Sequence, residues 1–78
     1  MDQVSGGSTR VLRSALGANV RAERLRRGLT QEGLAERLGV TPRYLAGIER
    51  GERNLTLDSI EALAEQLDMD PHSLLARR

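Results

Sequence analysis

The sequence predicts an all-α domain of five short helices. Apolar residues recur at intervals of three and four along most of the chain, and no stretch shows the apolar–polar alternation of a strand. Capping residues and glycines divide this pattern into five segments. Because 78 residues can bury only one small core, we expect a single domain with no room for a deep substrate cleft or a cofactor-binding fold.

The first helix is predicted to begin between Thr9 and Gly17 and to end at Gly28, a residue suited to the left-handed position that follows a helix. Gly17 lowers the helix propensity of the first turns and leaves the start open. Residues 1–9 are rich in Gly and Ser, which predicts a flexible arm, and residues 10–76 then form the folded domain. The inward stripe of this helix comprises Leu12, Leu16, Val20 and Leu25, with Ala15, Ala18 and Ala22.

The second and third helices have clear start signals. Thr30 is suited to cap a helix from Gln31 to Leu38. Thr41 is suited to cap the next helix, because Pro42 then occupies the first helical position, where its missing N–H has no cost. That third helix is predicted to run to Arg50.

The fourth and fifth helices repeat these signals. Thr56 is predicted to cap the fourth helix and Asp70 the fifth, which again begins with a proline, Pro71. Inward positions at helical spacing in these two helices are Leu57, Ile60, Leu63, Ala64, Leu67, Leu74 and Leu75.

The segment 31–51, QEGLAERLGVTPRYLAGIERG, has the spacing of a helix-turn-helix, with the motif proper at residues 31–50. Ala35 allows the two helices to cross closely, and Gly39 can adopt the positive φ of a sharp turn. Apolar side chains at Leu45 and Ile48 hold the third helix on the core. The face of that helix predicted to meet solvent, and to enter a DNA major groove, comprises Pro42, Arg43, Ala46, Gly47 and Arg50.

The residues of this segment resemble the Cro/repressor-type (Xre) helix-turn-helix family, over roughly residues 16–76. The resemblance is carried by Leu29-Thr30-Gln31, Leu34-Ala35, Leu38-Gly39-Val40, Tyr44-Leu45 and Ile48-Glu49-Arg50-Gly51. Within the family, residues 43–50 followed by residues 53–57 are similar to the controller proteins of restriction–modification systems. The resemblance implies a compact, lambda-repressor-like DNA-binding domain that acts as a transcriptional regulator.

The resemblance also implies roles for individual residues. Gln31, at the start of the second helix, would hold a phosphate, as a helix N-terminus itself favours. The residues on base-facing positions are Thr41, Pro42, Arg43, Ala46 and Gly47. Those expected to hold the DNA backbone are Arg50, Arg53 and Asn54, with Tyr44 either beside them or packed half-buried under the third helix.

Direct base readout is expected to be limited. Proline cannot donate a hydrogen bond, and Ala46 and Gly47 have no hydrogen-bonding side chain, although Ala46 could contact a thymine methyl group. Arg43 is therefore the plausible bidentate reader of guanine, with Thr41 as a lesser reader. Part of the specificity would then depend on DNA shape.

Arg24 and Glu49 fall where the family often has a buried ion pair between the first and third helices, and we expect that structural role for both. Such a pair adds little net stability, but removal of one partner leaves a buried charge unpaired.

Catalytic and metal sites are not expected. The chain has no Cys and a single His, His72, which is expected to lie on the surface. The fourth helix places Asp58, Glu61 and Glu65 on one face, which is most simply a solvated face. Since no Ser has a nearby base and no Gly-rich phosphate loop is present, the sequence predicts a protein that is not an enzyme, with no cofactor and no small-molecule ligand.

The expected partners are double-stranded DNA and a second copy of the chain. Apolar residues in excess of a five-helix core suggest a dimer interface of Leu67, Met69, Leu74 and Leu75, the alternative being a monomer whose core uses all of them. A dimer would bind a pseudo-palindromic operator in the cytoplasm, with no membrane contact. The second hypothesis is an antitoxin-like or other protein-interaction module, whose acidic fourth and fifth helices bind a partner.

Overall fold

The computed structural model describes the backbone of residues 6–77 and the side chains of residues 11–77. It confirms the all-α prediction for this part of the chain: the helices are α1 (Gly6–Arg26), α2 (Gln31–Leu38), α3 (Pro42–Glu49), α4 (Leu57–Gln66) and α5 (Pro71–Leu75). None of the helices within residues 6–77 combines the length and the hydropathy needed to cross a membrane.

The start of α1 differs from the prediction. The helix begins at Gly6, so residues 6–9 of the predicted arm are helical, and residues 1–5 lie outside the described residues. Gly17 lies in the middle of the helix, where one glycine reduces stability without ending the helix, because the residues before it include strong helix formers such as Leu12, Arg13 and Ala15.

The predicted capping residues begin α2 to α5. Each cap has an extended backbone, and its side-chain oxygen accepts a backbone N–H of the first turn at 2.9–3.1 Å. The caps are Thr30, Thr41, Thr56 and Asp70. They fix the starting point of each short helix and thereby the rotation of its side chains.

Two of the four residues predicted to form a dimer interface are buried in the core. α5 packs against both α1 and α4, and as a result Leu67 and Leu74 are 1% and 0% exposed. The prediction is therefore wrong for Leu67 and Leu74, which belong to the core. Met69 and Leu75 are partly buried at the edge of the core.

Three leucines predicted to face inward lie instead on the surface. The exposed fractions of Leu12, Leu25 and Leu57 are 55%, 54% and 76%. The apolar stripes of α1 and α4 are wider than the strip that their neighbours in this small domain can cover.

A buried asparagine joins the middle of α1 to the end of α5. Asn19 is 4% exposed, and its Nδ2 donates hydrogen bonds to the carbonyl oxygens of Leu74 and Ala76, at 2.8 and 2.7 Å. The first carbonyl is in the last turn of α5, where a helix leaves its acceptors unsatisfied, and the second belongs to the residue that follows the helix. Asn19 therefore holds α5 against α1.

The arginines at the end of α1 are occupied by structural contacts. The carboxylate of Glu23 accepts hydrogen bonds from Arg26 and Arg27, and Arg27 also donates to the carbonyl oxygen of Leu67 at the end of α4. Hydrogen bonding by Arg26, with a smaller contribution from Arg27, lowers the pKa of Glu23 from 4.5 to about 2.

We expect the variant Glu23→Gln to lose less stability in acid than the wild type. Since the pKa of Glu23 is lower in the folded chain, its ionised form stabilises the fold fully above pH 4.5, and this contribution disappears as the pH falls towards 2. Urea unfolding between pH 7 and pH 2 should show the difference between wild type and variant shrinking over that window. The control Glu61→Gln removes an exposed carboxylate of α4. A constant difference for Glu23→Gln across the window would contradict the assignment.

Candidate nucleic-acid interface

The turn between α2 and α3 has the geometry of a helix-turn-helix. Gly39 has a φ of 73° and donates its N–H to the carbonyl of Glu36, and the next N–H, of Val40, donates to the carbonyl of Ala35. These bonds end α2 and redirect the chain sharply. Leu45 and Ile48, which are 0% and 3% exposed, then hold α3 on the core.

The first turn of α3 presents three exposed residues, Thr41, Pro42 and Arg43. The hydroxyl oxygen of Thr41 accepts the N–H of Tyr44 at 3.0 Å, so it is committed to the cap, while its own hydrogen can still be donated. The guanidinium of Arg43 is the group of this turn that can form two parallel hydrogen bonds with a guanine edge.

Gly47 does not meet solvent as predicted. It is buried, and the side chain of Arg53 lies across it: a methyl group added at Gly47 would lie 3.1 Å from Nε and 3.2 Å from Cγ of Arg53. The guanidinium carbon of Arg53 also lies 4.9 Å from the centre of the Tyr44 ring, in cation–π contact. Tyr44 and Ala46 are both half-buried.

The segment after α3 turns back on the helix it leaves. Gly51, with a φ of 76°, donates its N–H to the carbonyl of Ile48, and the N–H of Glu52 donates to the carbonyl of Gly47. Arg50 forms an ion pair with Glu52 at 3.1 Å. Both side chains are exposed, and an exposed pair of this kind contributes little, so Arg50 can exchange Glu52 for a phosphate. Asn54 follows on the same exposed loop.

Arg24 and Glu49 form the buried pair expected between α1 and α3. Nε and Nη2 of Arg24 donate to the two carboxylate oxygens of Glu49 at 2.8 and 3.1 Å, and Nη1 donates to the carbonyl of Leu29. The side chains are 10% and 3% exposed. Hydrogen bonding to Glu49 raises the pKa of Arg24, so the guanidinium stays charged.

Gln31 takes part in this pair, a contact that the sequence did not indicate. Its Nε2 donates to Oε1 of Glu49 at 3.0 Å. One N–H of the amide therefore faces the ion pair, and since an amide nitrogen carries two, the other can be donated to a phosphate at the start of α2. The Arg24–Glu49 pair thus orients a residue predicted to contact DNA.

Comparison with known proteins agrees with this geometry. A helix-turn-helix family model matches residues 20–74. The chain is 39% identical to the control protein C.SmaI of Serratia marcescens over 67 residues, covering 86% of this chain and 80% of the relative.

Two solved structures are also similar. The crystal structure of the restriction-modification controller protein C.AhdI from Aeromonas hydrophila superimposes with a TM-score of 0.69 at 40% identity, covering 80% of this chain and 94% of that one. The controller protein C.Esp1396I, crystallised as a tetramer with its natural 35 base-pair operator, has a TM-score of 0.68 at 35% identity, covering 81% and 83%. The chain therefore belongs to the Cro/repressor-type (Xre) helix-turn-helix family of DNA-binding transcriptional regulators.

Proposed function

We propose that this protein binds a pseudo-palindromic operator as a dimer and controls the transcription of a restriction–modification operon. The observation that carries the proposal is the exposed first turn of α3, with Arg43 free to enter a major groove. The similarity to controller proteins over four fifths or more of the chain supports a restriction–modification operon as the target.

The interface residues divide into two roles. Arg43 reads a guanine, and Ala46 contacts a thymine methyl group. The DNA backbone is held by Gln31, Tyr44, Arg50, Arg53 and Asn54 through phosphate contacts that set the register of the protein on the duplex. Because few side chains reach base edges, the remaining specificity comes from the shape of the DNA.

The dimer uses the apolar surface left open beside α4. A groove of about 330 Å³ is lined by leucines of α1, α4 and α5, among them Leu12, Leu57 and Leu75. Arg53 and Asn54 also line it, so the dimer interface would border these two DNA contacts. Leu57 and Leu12 are 76% and 55% exposed and line the same groove, so together they leave an apolar patch in water. Of the residues predicted for the interface, Leu75 lines this groove, whereas Met69 is partly buried against the core. Leu12 and Leu57 replace Leu67 and Leu74.

Selection of bound sequences from a random duplex library tests the proposal. We expect the wild type to enrich a pseudo-palindrome with half-sites about one helical turn apart. Arg43→Ala should lose preference at one position in each half-site, by about 1–3 kcal/mol, because a bidentate guanine contact is removed. The control Arg37→Ala removes an exposed charge at the end of α2 and should leave the enriched sequence unchanged.

Two outcomes would count against the proposal. An unchanged sequence preference for Arg43→Ala would show that Arg43 is not the reader. Salt-sensitive background binding without any enriched sequence would argue against a specific operator and favour the protein-interaction alternative, in which the exposed acids of α4 meet a partner.

A further inference from the structure

Arg53 belongs to the loop after α3, yet its side chain lies on α3 itself. Its guanidinium carbon is 4.9 Å from the ring centre of Tyr44, and its aliphatic stem and Nε lie against the backbone of Gly47. The two N–H groups that turn the loop back, those of Gly51 and Glu52, bind carbonyls of α3. Both the backbone of the loop and the side-chain contacts therefore hold Arg53 against α3.

Gly47 is the residue that makes room for this contact. A methyl group there would lie 3.1, 3.2 and 3.7 Å from Nε, Cγ and Cδ of Arg53, so the side chain would have to shift by a few tenths of an ångström or leave. Glycine inside a helix also lowers its stability relative to alanine. The contact with Arg53 is a physical reason for a glycine at this position of α3.

We propose that Gly47 and Tyr44 form a seat that orders the guanidinium of Arg53 before DNA arrives, and that Gly47 acts on DNA binding as a positioning residue through Arg53. The inference rests on the proposed function, since it takes Arg53 as a DNA contact. An arginine that is already ordered loses less rotamer entropy on binding than one that is free in solvent. Because Arg53 covers Gly47, a DNA phosphate meets the guanidinium rather than the glycine.

A double-mutant cycle separates this role from direct contact between Gly47 and DNA. The probe is the duplex that the wild-type protein enriches from the random library, and the variants are Gly47→Ala, Arg53→Ala and the double variant. We expect Gly47→Ala to weaken binding about three- to tenfold and Arg53→Ala about tenfold or more. In the Arg53→Ala background, the added methyl group should change the affinity by less than about twofold, because the side chain it displaces is gone.

Two further readouts do not depend on DNA. Gly47→Ala should melt no lower than the wild type, because alanine favours the helix and only a flexible side chain must move. In NMR spectra of the free protein, the Cγ and Cδ protons of Arg53 should carry a ring-current shift from Tyr44 that is reduced in Gly47→Ala and lost in Tyr44→Leu.

The outcomes distinguish the failure of each part. If Gly47→Ala weakens binding as much in the Arg53→Ala background as in the wild type, the methyl group clashes with DNA directly. That result would overturn the proposed seat. Unchanged Arg53 resonances and unchanged affinity in Gly47→Ala would overturn it as well. If the resonances respond but no duplex is enriched, the proposed function fails, and the DNA-positioning role fails with it.

Discussion

Glu49→Gln is expected to lower the free energy of unfolding by about 3–5 kcal/mol, because it leaves a buried guanidinium without its counter-ion. The side chain of Arg24 is only 10% exposed, so water cannot replace the lost charge. Gln31 loses its carboxylate acceptor in the same step. For a domain of this size the total free energy of unfolding is roughly 4–12 kcal/mol. Urea unfolding followed by far-UV circular dichroism should therefore show a transition at a much lower urea concentration.

The matched control is Glu52→Gln, which makes the same chemical change in the exposed pair with Arg50. It should alter stability by less than about 1 kcal/mol, because both partners are hydrated in the folded state. The double replacement Arg24→Met with Glu49→Leu should recover most of the loss, since it removes both buried charges together. A Glu49→Gln variant as stable as Glu52→Gln would show that Arg24 finds another partner or reaches solvent.

The features that the sequence predicted well are those set by local chemistry. Thr41 and Pro42 mark the start of α3 because one supplies the capping oxygen and the other needs no N–H partner. Gly39 marks the turn because its φ of 73° is unfavourable for other residues. Helical spacing then identifies which face of α3 is inward, and Leu45 and Ile48 are indeed buried.

The features that the sequence did not predict depend on how helices meet. Spacing shows that Leu67 and Leu74 are apolar and in phase, but only the return of α5 onto α1 decides that both are enclosed within one chain. Asn19 gave no signal, because a polar residue on a helix is ordinarily a surface residue. Gly47 was assigned to solvent because helical spacing places it on the outer face of α3, and spacing does not show that a loop residue, Arg53, covers it from outside the helix.

Gly17 is the strongest example of this kind, since the sequence alone gave it only a negative effect on α1. Gly17→Ala is expected to destabilise the fold by about 3 kcal/mol, at or above the upper end of the usual range for overpacking. An added methyl group would lie 2.4 Å from the carbonyl oxygen of Ile48 and 2.6 Å from that of Glu49. Both are backbone atoms of α3, so no side chain can move aside to accept it. The midpoint of thermal unfolding should fall by roughly 12–24 °C.

The control for Gly17→Ala is Gly33→Ala in α2, where the nearest atom to the added methyl group is the side-chain oxygen of Thr30 at 3.3 Å. Both variants gain helix propensity, about 1 kcal/mol in the interior of α1 and less in the first turn of α2, so most of their difference in stability comes from the contact with α3. Gly33→Ala should melt at or slightly above the wild-type temperature. Equal melting temperatures for the two variants would mean that α1 and α3 can move apart without loss of stability. In that case Gly17 would not be required for their packing, and the carbonyl of Ile48, which also accepts the N–H of Gly51, would be free to shift with the loop that carries Arg53.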